Sequence, residues 1–202
     1  MTARTGMADL ISQVRGLTYA GTADFTLGTV VYWSDDHIQR ALDRTRRDIY
    51  QVELEQWPTL GTAGTYEYYE YRAPYGNLES GSAVFLLRTF NGATAGTALT
   101  VDYDAGIITF TADQLGTEYM LTARTYDLNA AAADVWRGKA ANSANYFDFK
   151  TDNHDIKKSQ FHAHCLEMAA YFQGLSPTQS FSVTTITRSD VNPAYEEEQW
   201  LY

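Results

Sequence analysis

The chain has 202 residues and a formal net charge of −10, from 25 acidic against 15 basic side chains, which leaves it no electrostatic footprint for gripping a phosphate backbone. That length fits one domain, or one domain carrying an insertion, and it buries enough surface to fold without covalent staples. Its one cysteine, Cys165, excludes an internal disulfide and suits a reducing compartment, and no apolar run reaches the ~20 residues of a membrane helix.

In chain order, MTARTGMADLISQV has no apolar h-region and reads as mature sequence rather than a signal peptide. Met7, Leu10, Ile11, Val14 and Leu17 have helical spacing, so Met7–Leu17 is expected to be a short amphipathic helix stopped near Gly16. Residues 18–33 read as irregular. Ser34 is the N-cap candidate of a second helix, with Asp35 and Asp36 in the first turn, where the helix dipole favours acids. Ile38, Leu42, Thr45 and Ile49 would form its inner stripe and carry it to about Tyr50. Arg40, Arg44, Arg46 and Arg47 would cover its outer faces. They read first as a solvated face with pairs such as Asp36–Arg40, and second as a contact for an acidic neighbouring subunit.

The texture changes at Trp57-Pro58. Fifteen tyrosines in the chain favour β-structure and protein interfaces over a purely helical fold. Strands are expected at Tyr66–Arg72, Val84–Phe90, Leu99–Tyr103, Ile107–Thr111 and Glu118–Arg124, separated by Gly, Pro and Asn-Gly turns. VDYDAGIITFT is the clearest hairpin, with Gly106 free to take positive φ in its turn. The insert reads as a small sheet, a sandwich or a partial barrel.

Its last strand leads directly into a helix expected from Tyr126 to about Asn145. Seven alanines keep that helix thin. Ala133, Trp136, Ala140, Ala144 and Phe147 line one face, and Leu128, Ala131, Ala132 and Val135 another, so neighbours are expected to approach on two sides. A polar link from Lys150 to His154 follows, with Asp155 as the next cap. Phe161, Cys165, Met168, Phe172 and Leu175 then mark the buried seam of a last helix, paired with its predecessor in an antiparallel hairpin. Beyond Pro177 the sequence is β-branched and aromatic without helical period. It reads as an extended arm able to add a strand to a neighbour and to anchor Trp200 and Tyr202.

Chemistry-bearing residues form no recognisable constellation. His162 and His164 are two apart on a helix and point to different faces. His154-Asp155 lacks a ligand spacing, and Asp102 and Asp104 lack the further acids of a calcium loop. Glu196-Glu197-Glu198 reads as a solvated or interface charge run, and Cys165 as a buried thiol. Phosphate-loop, nucleophile-elbow and zinc-protease motifs are missing from the sequence. No catalytic residue, metal or cofactor is therefore expected.

One resemblance is carried by order rather than by a single motif. YWSDDHIQRALDRTRRDIY, then DAGIITFTADQLGTEYMLTARTYDLNAAAADVWRGKAA, then YFDFKTDNHDIKKSQFHAHCLEMAAYF resembles the neck, or head-tail connector, proteins of tailed bacteriophages. It covers most of residues 7–175; the segment between Trp57 and Leu99 and the tail after Pro177 depart from it. The resemblance implies a helical bundle with an inserted β region, assembled as a ring of commonly twelve copies between the portal protein and a tail or stopper protein. It implies a virion location after assembly in the host cytoplasm, with DNA passing through the channel unbound and no membrane.

The expectation is thus an α+β fold. Residues 1–56 and 121–175 would form an antiparallel helical bundle, residues 57–120 a small antiparallel β insert, and residues 176–202 the arm. Subunit or portal contacts are expected at Phe181, Val183, Trp200 and Tyr202, and more weakly at Trp33, Arg46 and Arg47. Two rivals stand beside this reading. In one, a binding module stacks glycan or a host surface on Tyr68, Tyr69, Tyr71 and Tyr75. In the other, a small enzyme uses scattered acids such as Asp102 and Glu118.

Overall fold

The computed structural model describes residues 3–21, 25–27, 30–62, 64–95, 99–143, 149–151, 154–156 and 158–176. The fold is α+β. A single 3-10 turn, Thr5–Met7, leads into α1 (Ala8–Thr18), and the hairpin β1 (Phe25–Leu27) and β2 (Val30–Tyr32) fills part of the stretch expected to be irregular. Then come α2 (Asp35–Arg44), β3 (Arg47–Glu53), β4 (Glu55–Leu60), β5 (Tyr66–Arg72), β6 (Leu86–Thr89), β7 (Leu99–Asp102), β8 (Ile107–Phe110) and β9 (Tyr119–Thr125). The chain continues with α3 (Leu128–Ser143), the hairpin β10 (Phe149–Thr151) and β11 (His154–Ile156), and α4 (Lys158–Leu175).

Four expectations are corrected here. The second helix stops at Arg44 instead of running to Tyr50, because Thr45 closes it with both its N–H and its hydroxyl on the Leu42 carbonyl. Ile49 is therefore no helix-stripe residue; it faces inward on β3 opposite Ala123. The β region begins at Arg47 rather than Trp57. Asp155 lies in β11 rather than at the start of the last helix, since the expected polar link is itself a short hairpin. In the last helix Cys165 and Phe172 are buried, as expected, but Phe161 and Leu175 are exposed, and Ala169 takes their place in the seam.

Two antiparallel sheets form the β half, in the orders β3-β9-β6 and β4-β5-β8-β7. The chain crosses from the first to the second at Leu54, which is buried and donates its N–H to the Tyr119 carbonyl. Inward residues of both sheets share one core: Ile49, Leu87, Leu121 and Ala123 from the first, Tyr71, Ile108 and Phe110 from the second. On β9 the alternation is complete, with Tyr119, Leu121, Ala123 and Thr125 buried and the residues between them half-buried. The β7–β8 hairpin pairs Val101 with Ile108, and Gly106 takes φ +71 in its turn.

Helix α3 lies between two further cores. Ala131 and Val135 pack with Met7, Leu10 and Val14 at α1 and Ile38 and Leu42 of α2. Ala132, Ala133, Trp136 and Ala140 pack with Cys165, Ala169 and Phe172 of α4. Asn129 reaches the Leu175 carbonyl, Arg137 reaches Gln173, and Ala140 meets His162, so α3 and α4 run antiparallel. Small side chains let both neighbours approach. At Gly138 an added Cβ would lie 2.5 Å from the Trp33 ring.

The halves are also joined by close backbone contact at the N-terminus. Ser80 donates its N–H to the Gly6 carbonyl at 3.3 Å, and a Cβ on Gly6 would sit 1.9 Å from the Ser80 carbonyl oxygen. Backbone cannot yield there as a side-chain tip can. Gly6→Ala is expected to destabilise the protein by about 1–3 kcal/mol, read as a lower urea midpoint at unchanged slope.

Candidate functional site

The most organised polar cluster is a five-residue clamp between helices and sheet. Arg4 precedes the first turn, Asp43 lies on α2, Glu79 follows the Leu78 bridge to β9, Arg124 lies near the end of β9, and Tyr126 starts the passage to α3. Arg4 donates to both carboxylate oxygens of Asp43, at 3.1 and 2.6 Å, and through Nε to Glu79 at 2.9 Å. The Tyr126 hydroxyl donates to Glu79 at 2.5 Å, and Arg124 stands 3.5 Å from the same carboxylate. Glu79 is only 3% exposed at its side chain. Burial alone would raise its pKa, but hydrogen bonds from Tyr126 and Arg4 outweigh that and hold it below its ordinary value. Asp43 is likewise lowered: the Arg4 guanidinium overcomes its desolvation. Burial and the adjacent Glu79 push the Tyr126 hydroxyl well up.

A carboxylate saturated in this way is a poor base. What the clamp does is tie the helices to the sheet. Sequence reasoning passed it over because its members lie as far apart as Arg4 and Tyr126, and Glu79 sits in a loop, NLESGS, that looks solvated.

Beside the clamp a groove of about 660 Å3 opens between Leu17 of α1, Thr45 and Arg47 after α2, the Pro74–Asn77 loop, and the start of α3. Arg47 lies with its guanidinium 4.7 Å over the Tyr75 ring and has no ion pair among the described residues. Asp127, on the opposite wall, caps α3 by accepting the Ala130 N–H at 3.0 Å, and also accepts the Ser176 hydroxyl.

The expected contact residues fall in different places. Arg46 and Arg47 follow α2 rather than lying on it, and Arg46 pairs with Asp48 at 3.2 Å. Trp33 is half-buried at φ +64, packed against Gly138, with its carbonyl held by Arg15. Phe181, Val183, Trp200 and Tyr202, with the Glu196–Glu198 run, lie outside the described residues.

The tempting chemistry is accounted for by local bonds. Ser34 occupies the N-cap position, but its hydroxyl meets His37 Nδ1 at 2.8 Å instead of a helix N–H. Asp102 accepts the N–H groups of Asp104 and Ala105, closing the hairpin turn, and Asp104 takes a hydrogen bond from Gln13. The Asp36–Arg40 pair forms at 3.5 Å. His162 meets the Ala140 carbonyl, and His164 sits edge-on to Trp136. Cys165 is buried, and burial pushes its thiol up. Among the described residues no group of His, Cys, Asp or Glu could hold a metal ion, and no helix is long and apolar enough to cross a membrane. Tyr71 is fully buried, so it cannot stack on a glycan, which removes the centre of that tyrosine row.

Large apolar side chains do remain outside. On α4, Phe161, Tyr171 and Leu175 are exposed and flank the half-buried Met168, forming a stripe beside the one that packs on α3. On the β4–β5 hairpin, Leu60 and Tyr66 are cross-strand partners and both are exposed, with Trp57 nearby under Arg72 at 3.7 Å. Comparison of the chain with protein-family models, curated proteins and solved structures finds no match.

Proposed function

We propose that this chain is a structural subunit of the head-tail connector of a tailed bacteriophage, an adaptor that rings the DNA passage between portal and tail components. The observation that carries the reading is the pair of exposed apolar surfaces, the α4 stripe and the β4–β5 tip, on a body whose halves are locked together by the Arg4 clamp. Apolar stripes left open beside a packed seam suit contacts between copies. A rigid joint lets a subunit hold two such contacts at a fixed angle. The ordered resemblance to connector proteins supplies the class, and residues 177–202 supply the arm that would reach portal or neighbour.

The deciding experiment is electron microscopy of the purified protein mixed with portal rings of its phage. An added ring of density under the portal is expected for the full chain. A variant ending at Leu175 is expected to stay folded and fail to join. Normal joining by that variant would refute the arm's role, and no added density with the full chain would refute the adaptor reading.

A wall for passing DNA should not hold it. The net charge of −10 predicts negligible affinity for duplex DNA at physiological salt, measured by fluorescence anisotropy. A sub-micromolar, steeply salt-dependent affinity would sink the passage role.

A further inference from the structure

The groove beside the clamp has one wall that the function above does not use. Its exposed cation, Arg47, has no acidic partner among the described residues. It belongs with Arg44 and Arg46 to the densest basic cluster in the sequence. The densest acidic run, Glu196-Glu197-Glu198, is in the tail and is followed directly by Gln199-Trp200-Leu201-Tyr202. The tail also starts at the groove: Ser176, the last described residue, bonds through its hydroxyl to Asp127, a wall residue.

We infer that this groove is the seat of the chain's own C-terminal segment, Tyr195–Tyr202. Its acidic run meets the Arg44–Arg47 turn, and Trp200 and Tyr202 enter between Leu17, Tyr75 and Leu128. Three arguments converge. Charge is complementary at Arg47, the basic residue of the groove's lining, which the longest acidic run would face, while Arg44 and Arg46 already pair with Asp134 and Asp48. Reach suffices: a coil of some twenty residues spans about 25 Å root-mean-square, enough to return to a groove at whose rim it begins. Tethering then supplies an effective concentration on the order of millimolar, so weak contacts are enough. The groove's volume of about 660 Å3 also suits a small number of bulky side chains. The same chain is favoured over a second copy because the anchor, Ser176, is bonded to Asp127 on the groove's own wall. In a connector, such a seat would keep the arm's aromatics covered until a partner draws them out.

The test is hydrogen exchange on the full chain, with sedimentation velocity on the same samples. Amides of Tyr195–Tyr202 are expected to exchange on the order of tenfold slower than in a free peptide of that sequence, in a monomer. Arg47→Glu should abolish that protection, and the side chain's exposure keeps the variant folded. High salt should weaken it. Exchange at the free-peptide rate, or protection indifferent to Arg47→Glu, overturns the assignment. Protection found only in a dimer also overturns it, and gives the groove to a second copy's tail.

Discussion

Glu79→Ala is expected to destabilise the protein by about 3 kcal/mol, with Tyr126→Phe costing about 1 kcal/mol, both read from urea unfolding. The asymmetry follows from what each change strands. Removing the carboxylate leaves the Tyr126 hydroxyl, buried with its ring, without its acceptor. It also leaves Arg4 and Arg124 facing each other across the vacated site. Arg4 is about a third exposed and keeps Asp43, so the loss belongs at the low end of what breaking a buried pair costs. Removing the tyrosine hydroxyl takes away only one of several donors to Glu79. A loss below ~1 kcal/mol for Glu79→Ala would mean that the clamp does not hold the halves together.

Acid should have the same effect, with a definite sign. Glu79 and Asp43 both titrate below their ordinary range when folded, so the unfolded chain binds more protons as pH drops. Their contribution is complete above the unfolded carboxylate values, about pH 4, and is lost as pH falls through the folded ones. In Glu79→Ala the acid-side slope of stability against pH should be shallower, since one of the two shifted groups is gone.

The legible parts of this fold are those where one period has no rival. β9 alternates without a break, and the Asp-Ala-Gly turn dictates the β7–β8 hairpin. The alanines of α3 announce a helix approached on two sides, which it is. The boundary after α2 was misread because Leu42, Thr45 and Ile49 satisfy a helical stripe, while Ile49, Val52 and Leu54 satisfy a bulged strand equally well. Pairing with β9, far away in sequence, decides between them, with the bulge between Ile49 and Val52 absorbing the irregular spacing. The clamp was invisible for the same reason. Arg4, Asp43, Glu79 and Tyr126 have ordinary local neighbourhoods, and only the closure of β9 onto the Leu78–Glu79 segment brings them together.

Tyr71→Ala is expected to cost about 3–5 kcal/mol, while Tyr71→Phe costs about 1 kcal/mol. Tyr71 is one of four tyrosines in YEYYEYR, and nothing local marks it as different. Its register does. Opposite Ile108 on β8 and Gln56 on β4, it points into the space between the two sheets. There its ring meets Phe110 edge-on at 5.4 Å and Tyr119 at 5.2 Å, and those two stack at 4.9 Å. Its hydroxyl donates to the Thr117 carbonyl at 3.0 Å, which makes the polar tip tolerable inside. Alanine would open a cavity where three rings meet, whereas phenylalanine keeps the rings and loses one hydrogen bond. Alkali gives an independent readout. Burial pushes the Tyr71 hydroxyl up to about 12, and Tyr119 is raised too, so the unfolded state loses these protons first. Stability should therefore be intact below about pH 10 and decline as pH rises toward the folded values. Tyr71→Phe should flatten that decline. A Tyr71→Ala variant as stable as the parent would place this ring outside the core and return the tyrosine row to the surface.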